Sequence, residues 1–239
     1  MTTKEGASVK FFLSKDEFKQ GLNILMKRID TMTLLIFLAA YLIGSIPTAL
    51  LVGKYAFQID IRDHGSNNPG ATNTLRVLGK RAAIVVLLAD IGKGALAAAL
   101  PFLLQSDADQ LMVGLVAVAG HCFPVFAGFR GGKAIATTAG VLLVSNIWMF
   151  LIAYISFIAV IYATKYVFYG SLSVGASLLV YSLFIPGHKH ELIFSIFLLF
   201  LIFLHRSNIK NFIDKKEPKI NDKRLKDDRI PPKDNKKRA

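Results

Sequence analysis

From about residue 33 to residue 213, long apolar runs alternate with short polar loops, and that alternation predicts the architecture. Residues 34–52 carry no charge over 19 positions, and residues 134–164 none over 31. An apolar run of roughly 20 residues is enough to cross a hydrocarbon core about 30 Å thick. Further apolar segments lie at 82–104, 111–127, 170–185 and 192–204. As one helix, 134–164 would be about 46 Å long, too much for one perpendicular crossing. Ser145-Asn146 in its middle is the natural turn, giving a short segment at 134–144 and a span near 147–164. The prediction is an all-α, polytopic transmembrane bundle of about seven membrane helices.

Outside the bundle the pattern changes. Residues 1–32 mix charges with scattered Phe and Leu; Phe18, Leu22 and Leu25 fit one helical face, so this extension is either an interfacial helix or disordered. Residues 33–213 form the membrane domain. Residues 214–239 form a basic tail, ending Lys236-Lys237-Arg238, whose composition predicts a solvated, disordered segment attracted to anionic lipid. Pro186 to His190 is read as a turn.

Composition changes this picture in one respect. The chain is 53% hydrophobic yet carries a net charge of +13. The two are compatible because charge is confined to loops and tail. Lys54, Arg62, Arg76, Lys80 and Arg81 lie in one loop, Arg130 and Lys133 in another, and the loop between them holds Asp107 and Asp109. Basic loops favour the cytoplasm. The expected orientation therefore has the N-terminus outside and the C-terminus cytoplasmic. Both basic loops would then face the cytoplasm. Cys122 is the only cysteine, which excludes an intrachain disulfide.

The chemistry is concentrated in His64 to Arg81, HGSNNPGATNTLRVLGKR. Its glycines let the backbone approach an anion closely, and Arg76 offers a fork for phosphate oxygens. It contains no carboxylate to compete. A second loop of the same chemistry, Phe129-Arg130-Gly131-Gly132-Lys133, recurs downstream, and His205 and Asn208 follow the last apolar segment. Together these offer Ser66, Asn68, Asn73, Arg76, Arg130, Gly131, Gly132, Lys133, His205 and Asn208 on one membrane face. This suits phosphate groups beside a bilayer. Two charges interrupt an apolar segment, Asp90 and Lys93; three residues apart, they share a helical face and pair, either structurally or to orient the site. No cluster of acids or cysteines suggests a metal, and no Gly-x-x-x-x-Gly-Lys-Ser/Thr suggests a nucleotide. No His-x-x-x-x-Asp occurs: the fifth residue after each histidine is Pro69, Phe126, Ile193, Ser195 or Lys210.

At these residues the chain resembles the bacterial acyl-phosphate:glycerol-3-phosphate acyltransferases, integral membrane enzymes of phospholipid synthesis. Gly44-Ser45-Ile46-Pro47 fits their first motif and Gly65-Ser66-x-Asn68-Pro69-Gly70-Ala71-Thr72-Asn73 their second. Gly120-His121-x-Phe123-Pro124-Val125-Phe126, leading to Phe129-Arg130-Gly131-Gly132-Lys133, fits the third. Asp90-x-x-Lys93-Gly94 and His205-Arg206-x-Asn208-Ile209 add agreement, over roughly 33–213. Asn67 and Ala134 stand where the family usually has Gly, Ser207 replaces a usual Glu, and near 168–171 only Ser171 carries over.

The resemblance implies transfer of a fatty acyl group from acyl phosphate to the 1-hydroxyl of glycerol 3-phosphate, giving lysophosphatidic acid and phosphate. It assigns Arg76 and Lys133 to substrate phosphates, with Asn68, Asn73, Arg130, Gly131 and Gly132. Ser66, His205 and Asn208 take the catalytic roles of orienting substrates and moving the proton. An acyl-enzyme on Ser66 is the alternative to direct transfer. Ser45, Asp90, Lys93, His121 and Ser171 are supporting residues, His121 more structural than chemical. No cofactor or metal is expected, since acyl phosphate is already activated. The expected partners are the two substrates and membrane lipids, with no nucleic acid; oligomeric state stays open, a monomer being one reading. The competing classes are a small-anion transporter, which should show internal symmetry that is not found, and a non-catalytic lipid-binding membrane protein.

Overall fold

The computed structural model describes residues 31–184 and 190–231. The expectations for residues 1–30, for the turn at 186–189 and for Lys236-Lys237-Arg238 lie outside them. The described residues are helical throughout apart from loops: α1 (Thr31–Gly44), α2 (Thr48–Val52), α3 (Ala71–Val77), α4 (Lys80–Leu103), α5 (Gln110–Cys122), α6 (Ile135–Ser145), α7 (Ile147–Thr164), α8 (Val167–Phe184), α9 (Glu191–Leu204) and α10 (Arg206–Ile213).

Among the described residues, five helical stretches are long and apolar enough to cross a membrane: Thr31–Phe57, Lys80–Leu103, Gln110–Ala127, Ile147–Thr164 and Val167–Phe184. The pair α9–α10, bent by 55°, makes a sixth if counted as one span. Each of the seven apolar segments read from the pattern is helical, but α6 has only 11 residues, about 16 Å, and is too short to span alone. The boundary between α6 and α7 falls where polar residues interrupt the run. Asn146 caps α7 by accepting from the N–H groups of Trp148 (3.0 Å) and Met149 (3.1 Å).

Packing follows from small residues. In lipid, helices associate through close backbone approach rather than through expulsion of water. The broadest interface joins α4 to α6, and it is built on reciprocal glycines. A Cβ on Gly94 would collide with the carbonyl of Thr137, and one on Gly140 with that of Ile91. Helices α1 and α5 pack beside α4 over Ile36, Ala40, Ala97, Val113 and Ala117. On the other side, α7, α8 and α9 share a core with Leu142, Met149, Val174, Leu178, Phe194 and Leu201. Outward faces stay apolar: Leu88, Phe102, Ile155, Ile158 and Leu199 are all more than half exposed, as expected where lipid is the solvent.

The break after α1 shows how a buried polar group is satisfied here. At Gly44-Ser45-Ile46-Pro47 the helix stops, freeing carbonyls inside an apolar layer. Lys93 Nζ, 2.9 Å from Asp90 Oδ1, donates to the Ile46 carbonyl at 2.8 Å. Thr48 Oγ1 donates to Asp90 Oδ1 at 2.6 Å. The ion pair therefore splices a broken helix onto α4.

Candidate active site

Three polar pieces meet at one end of the bundle. The first is the loop 60–70 leading into α3. Asp60 clamps Arg62 through both carboxylate oxygens, at 2.6 to 3.1 Å. The held guanidinium donates to the carbonyl of Ala127 at 2.9 Å, tying the first loop to the second. With Arg62 beside it, the Asp60 carboxyl is held below its ordinary range. Neither residue was singled out from sequence; the Asp-x-Arg spacing was the available signal.

Asn73 is buried, and its amide works inside the loop. Its Oδ1 accepts from the Ser66 N–H at 2.8 Å, and its Nδ2 donates to the carbonyls of His64 (3.0 Å) and Ile61 (3.2 Å). The expected phosphate ligand is thus occupied in shaping the loop that presents Ser66. Asn67 sits in the left-handed region at φ 58°, the conformation glycine would take there without strain.

The second loop crosses beneath it. The N–H groups of Gly131 and Gly132 donate to the carbonyls of Cys122 and His121, both at 3.1 Å. Both N–H groups are therefore engaged inside the loop, while the two glycines themselves line the cleft. Both residues are glycine because of closeness: a Cβ on Gly131 would strike the His121 carbonyl, and one on Gly132 the His121 ring. Buried His121 packs under this loop, its Nδ1 3.5 Å from Asp90 Oδ1. Arg130 is exposed at the rim.

The third piece is the bend between α9 and α10. Lys133 Nζ donates to Asn208 Oδ1, and Asn208 Nδ2 donates to Glu217 Oε1 at 2.7 Å. Burial pulls the Lys133 ammonium down to about 8, against the opposing pull of Glu217. His205 is buried, with Nδ1 2.9 Å from the Leu201 carbonyl. A carbonyl only accepts, so Nδ1 carries the proton and Nε2 keeps its lone pair.

These pieces enclose a cleft of about 870 Å³ lined by Ser66, Asn68, Arg76, Arg130, Lys133 and Asn208, among others. A second cavity of about 720 Å³ shares Ser66, Asn68, Arg76, Lys133 and Asn208 with it, and adds His205, Asp90, His121 and Ser171. Its walls then turn apolar along Leu87, Ile91, Phe150, Tyr154, Phe157 and Ile158. A polar, cationic mouth thus opens into an apolar groove between helices. Ser45 is buried at the α1 break and lines neither cavity; among the described residues its hydroxyl has no hydrogen-bond partner.

The family model for glycerol-3-phosphate acyltransferase matches residues 34–215. The chain belongs to the glycerol-3-phosphate acyltransferase family. A relative from Bacillus subtilis (strain 168) named glycerol-3-phosphate acyltransferase is 47% identical over 186 residues, covering 78% of this chain and 96% of its own. One from Geobacillus kaustophilus (strain HTA426) with the same name is 46% identical over 191 residues, covering 79% and 96%. A crystal structure of PlsY (YgiH), an integral membrane glycerol 3-phosphate acyltransferase, in its glycerol 3-phosphate form superposes with a TM-score of 0.71 at 32% identity. It covers 78% of this chain and 94% of that one. Its lysophosphatidic acid form gives 0.68 at 30% identity, with the same coverage. Family membership agrees with the resemblance read from the loop motifs, and the membrane-embedded, all-helical character agrees with the hydropathy pattern.

The geometry also brings in residues that the motifs do not contain. Besides Asp60 and Arg62, the tail residues Glu217 and Asp228 reach the site. Asp228 pairs with Arg76 Nε. The stretch 214–231, expected to be solvated and disordered, instead runs back over the loops. The Ile220 N–H donates to the Lys165 carbonyl and the Ile230 N–H to the Val77 carbonyl, both at 2.8 Å. Composition counts its charges and misses that Ile220 and Ile230 are spaced to dock.

Proposed function

We propose that the cleft is where an acyl group passes from acyl phosphate to the 1-hydroxyl of glycerol 3-phosphate, giving lysophosphatidic acid and inorganic phosphate. Acyl transfer to glycerol 3-phosphate is the activity of the family to which the chain belongs; the donor and the division of labour are our reading. One observation carries it: two cations from separate elements, Arg76 on α3 and Lys133 in the second polar loop, line a mouth continuous with an apolar groove. Phosphates at the mouth and an acyl chain along Phe150, Tyr154 and Phe157 would place an acyl phosphate carbonyl at the junction, beside Ser66 and His205.

In this reading the 1-hydroxyl oxygen attacks the acyl carbonyl, forming a C–O bond and a tetrahedral oxyanion. The bond from carbonyl carbon to phosphate oxygen then breaks, and phosphate leaves with the electron pair. His205 Nε2 takes the hydroxyl proton, and the Ser66 hydroxyl and Asn208 amide orient the reacting groups. Holding both substrates in attack geometry could contribute several orders of magnitude in rate, and stabilising the oxyanion more. The transfer is direct, without an acyl-enzyme. The mixed anhydride is already activated, so no cofactor is needed.

We place the mouth at the cytoplasmic face, with seven membrane segments, the short α6 among them, and the N-terminus outside. In support, the tail meets both Val77 and Lys165, so the ends of α3 and α7 share a side. The short α6 then counts as an outward limb, with α7 returning. The test is transfer to labelled glycerol 3-phosphate by purified protein, with palmitoyl phosphate or palmitoyl-CoA as donor and chelator present. Turnover with the phosphate donor alone is expected; comparable turnover with the thioester overturns the donor assignment.

A further inference from the structure

The family match ends at residue 215, yet the chain continues, and its next sixteen residues lie across the mouth of the cleft. Two backbone pairs anchor this segment, Ile220 to Lys165 at one side and Ile230 to Val77 at the other. Ile230 also packs on the cluster of Ala49, Ile61, Val77, Leu78, Ala82 and Val86. Near these anchors, two carboxylates reach the groups assigned above to substrate phosphates and their alignment. Asp228 pairs with Arg76, and Glu217 accepts from Asn208, the residue that holds Lys133. Both cavities are lined in part by this segment.

We propose that residues 214–231 are an autoinhibitory strap whose Asp228 carboxylate occupies the phosphate subsite at Arg76 and whose Glu217 carboxylate engages Asn208 beside Lys133, so that substrate must displace them. The inference rests on the assignment of Arg76 and Lys133 to phosphates. A carboxylate is the side-chain group most like a phosphate in charge and acceptor geometry, and an arginine fork takes either. The strap is built to yield. Arg76 and Asp228 keep 24% and 32% of their side-chain surface exposed, so water and salt screen the pair. A substrate phosphate carries more charge than one carboxylate and therefore competes well. Apparent affinity is lowered only by the fraction of molecules whose strap is open, while the bound complex reacts at its ordinary rate.

The expected signature is in KM rather than kcat. The full chain, a truncation after Asp214, and Asp228→Ala should be compared in detergent with palmitoyl phosphate and labelled glycerol 3-phosphate. Partly exposed, solvent-screened ion pairs are weak, so removing the strap should lower KM for glycerol 3-phosphate by about three- to tenfold with kcat little changed. Asp228→Ala keeps both backbone anchors and decides the matter if the truncation does not fold. A synthetic peptide of residues 214–239 should inhibit the truncated enzyme competitively with glycerol 3-phosphate. Unchanged KM in Asp228→Ala, or a truncation that folds but loses kcat, overturns the strap. Arg76→Ala made in the truncated chain separates the two readings. If it cripples turnover while strap removal leaves KM unchanged, only the strap fails. If it leaves turnover near normal, the phosphate assignment itself fails.

Discussion

Lys133 and Asn208, 75 positions apart, meet as ammonium donor and amide acceptor at the bend between α9 and α10. Their contact joins the second polar loop to the end of the last apolar helix. It also sets the direction of the half-buried ammonium in the cleft. The catalytic reading depends on this cation and on Arg76 of α3 acting from separate elements.

Each should therefore be indispensable. Loss of a charge-assisted hydrogen bond in a partly dehydrated site costs on the order of 2–4 kcal/mol, or roughly 30- to 1,000-fold in rate. Lys133→Ala and Arg76→Ala should each lose turnover by that factor while retaining the thermal transition of the parent in detergent. Arg76→Lys should also lose much of its activity, because an ammonium cannot reproduce the planar fork. Near-normal kcat/KM in either alanine variant would remove that residue from the site.

The same lysine predicts a pH dependence. Burial holds Lys133 down to about 8, and only its protonated form attracts a phosphate. Raising the pH through that value removes the Lys133 charge and leaves the phosphate to Arg76. Values of kcat/KM for glycerol 3-phosphate should be level below it and fall above, by about tenfold per pH unit at the limit. Asn208→Ala, which removes the amide acceptor from the ammonium, should move the inflection to lower pH. A flat profile to pH 10 would show that Lys133 carries no essential proton.

Backbone conformation separates two small residues in the second loop. Ala134 lies at φ 55°, in the left-handed region, where a Cβ costs on the order of 1–2 kcal/mol. Ala134→Gly should therefore stabilise the protein by about 1 kcal/mol after the entropic penalty of glycine. Gly131→Ala should do the opposite, since its Cβ would strike the His121 carbonyl. Thermal unfolding in one detergent compares the two, and equal shifts would contradict the loop geometry.

Orientation has its own test. Cys122 is buried, so an introduced thiol reports alone. Cysteine at Asp107, in the exposed acidic turn, should react with an impermeant reagent added to intact cells. Cysteine at exposed Lys80 should react only after lysis. The reverse pattern places the cleft outside.

What the linear chain determined was everything that depends on periodicity and local composition. Uncharged runs long enough to cross a bilayer specify helices because lipid leaves backbone groups no other partner, and the polar break at Ser145-Asn146 ends one helix and caps the next. The loop motifs carried the family resemblance, because their residue types and spacing are legible without the fold. Long-range pairing was decided only in three dimensions. Asn73 and the amides of Gly131 and Gly132 have the chemistry of anion ligands, but whether a donor is free depends on which carbonyl the fold places opposite it. Asp60 and Arg62 gain their role from the distant Ala127 carbonyl. The tail is the clearest case. Its composition is that of a solvated segment, yet Ile220 and Ile230 find backbone partners, and Ile230 an apolar cluster as well, on surfaces that exist only once the helices have packed.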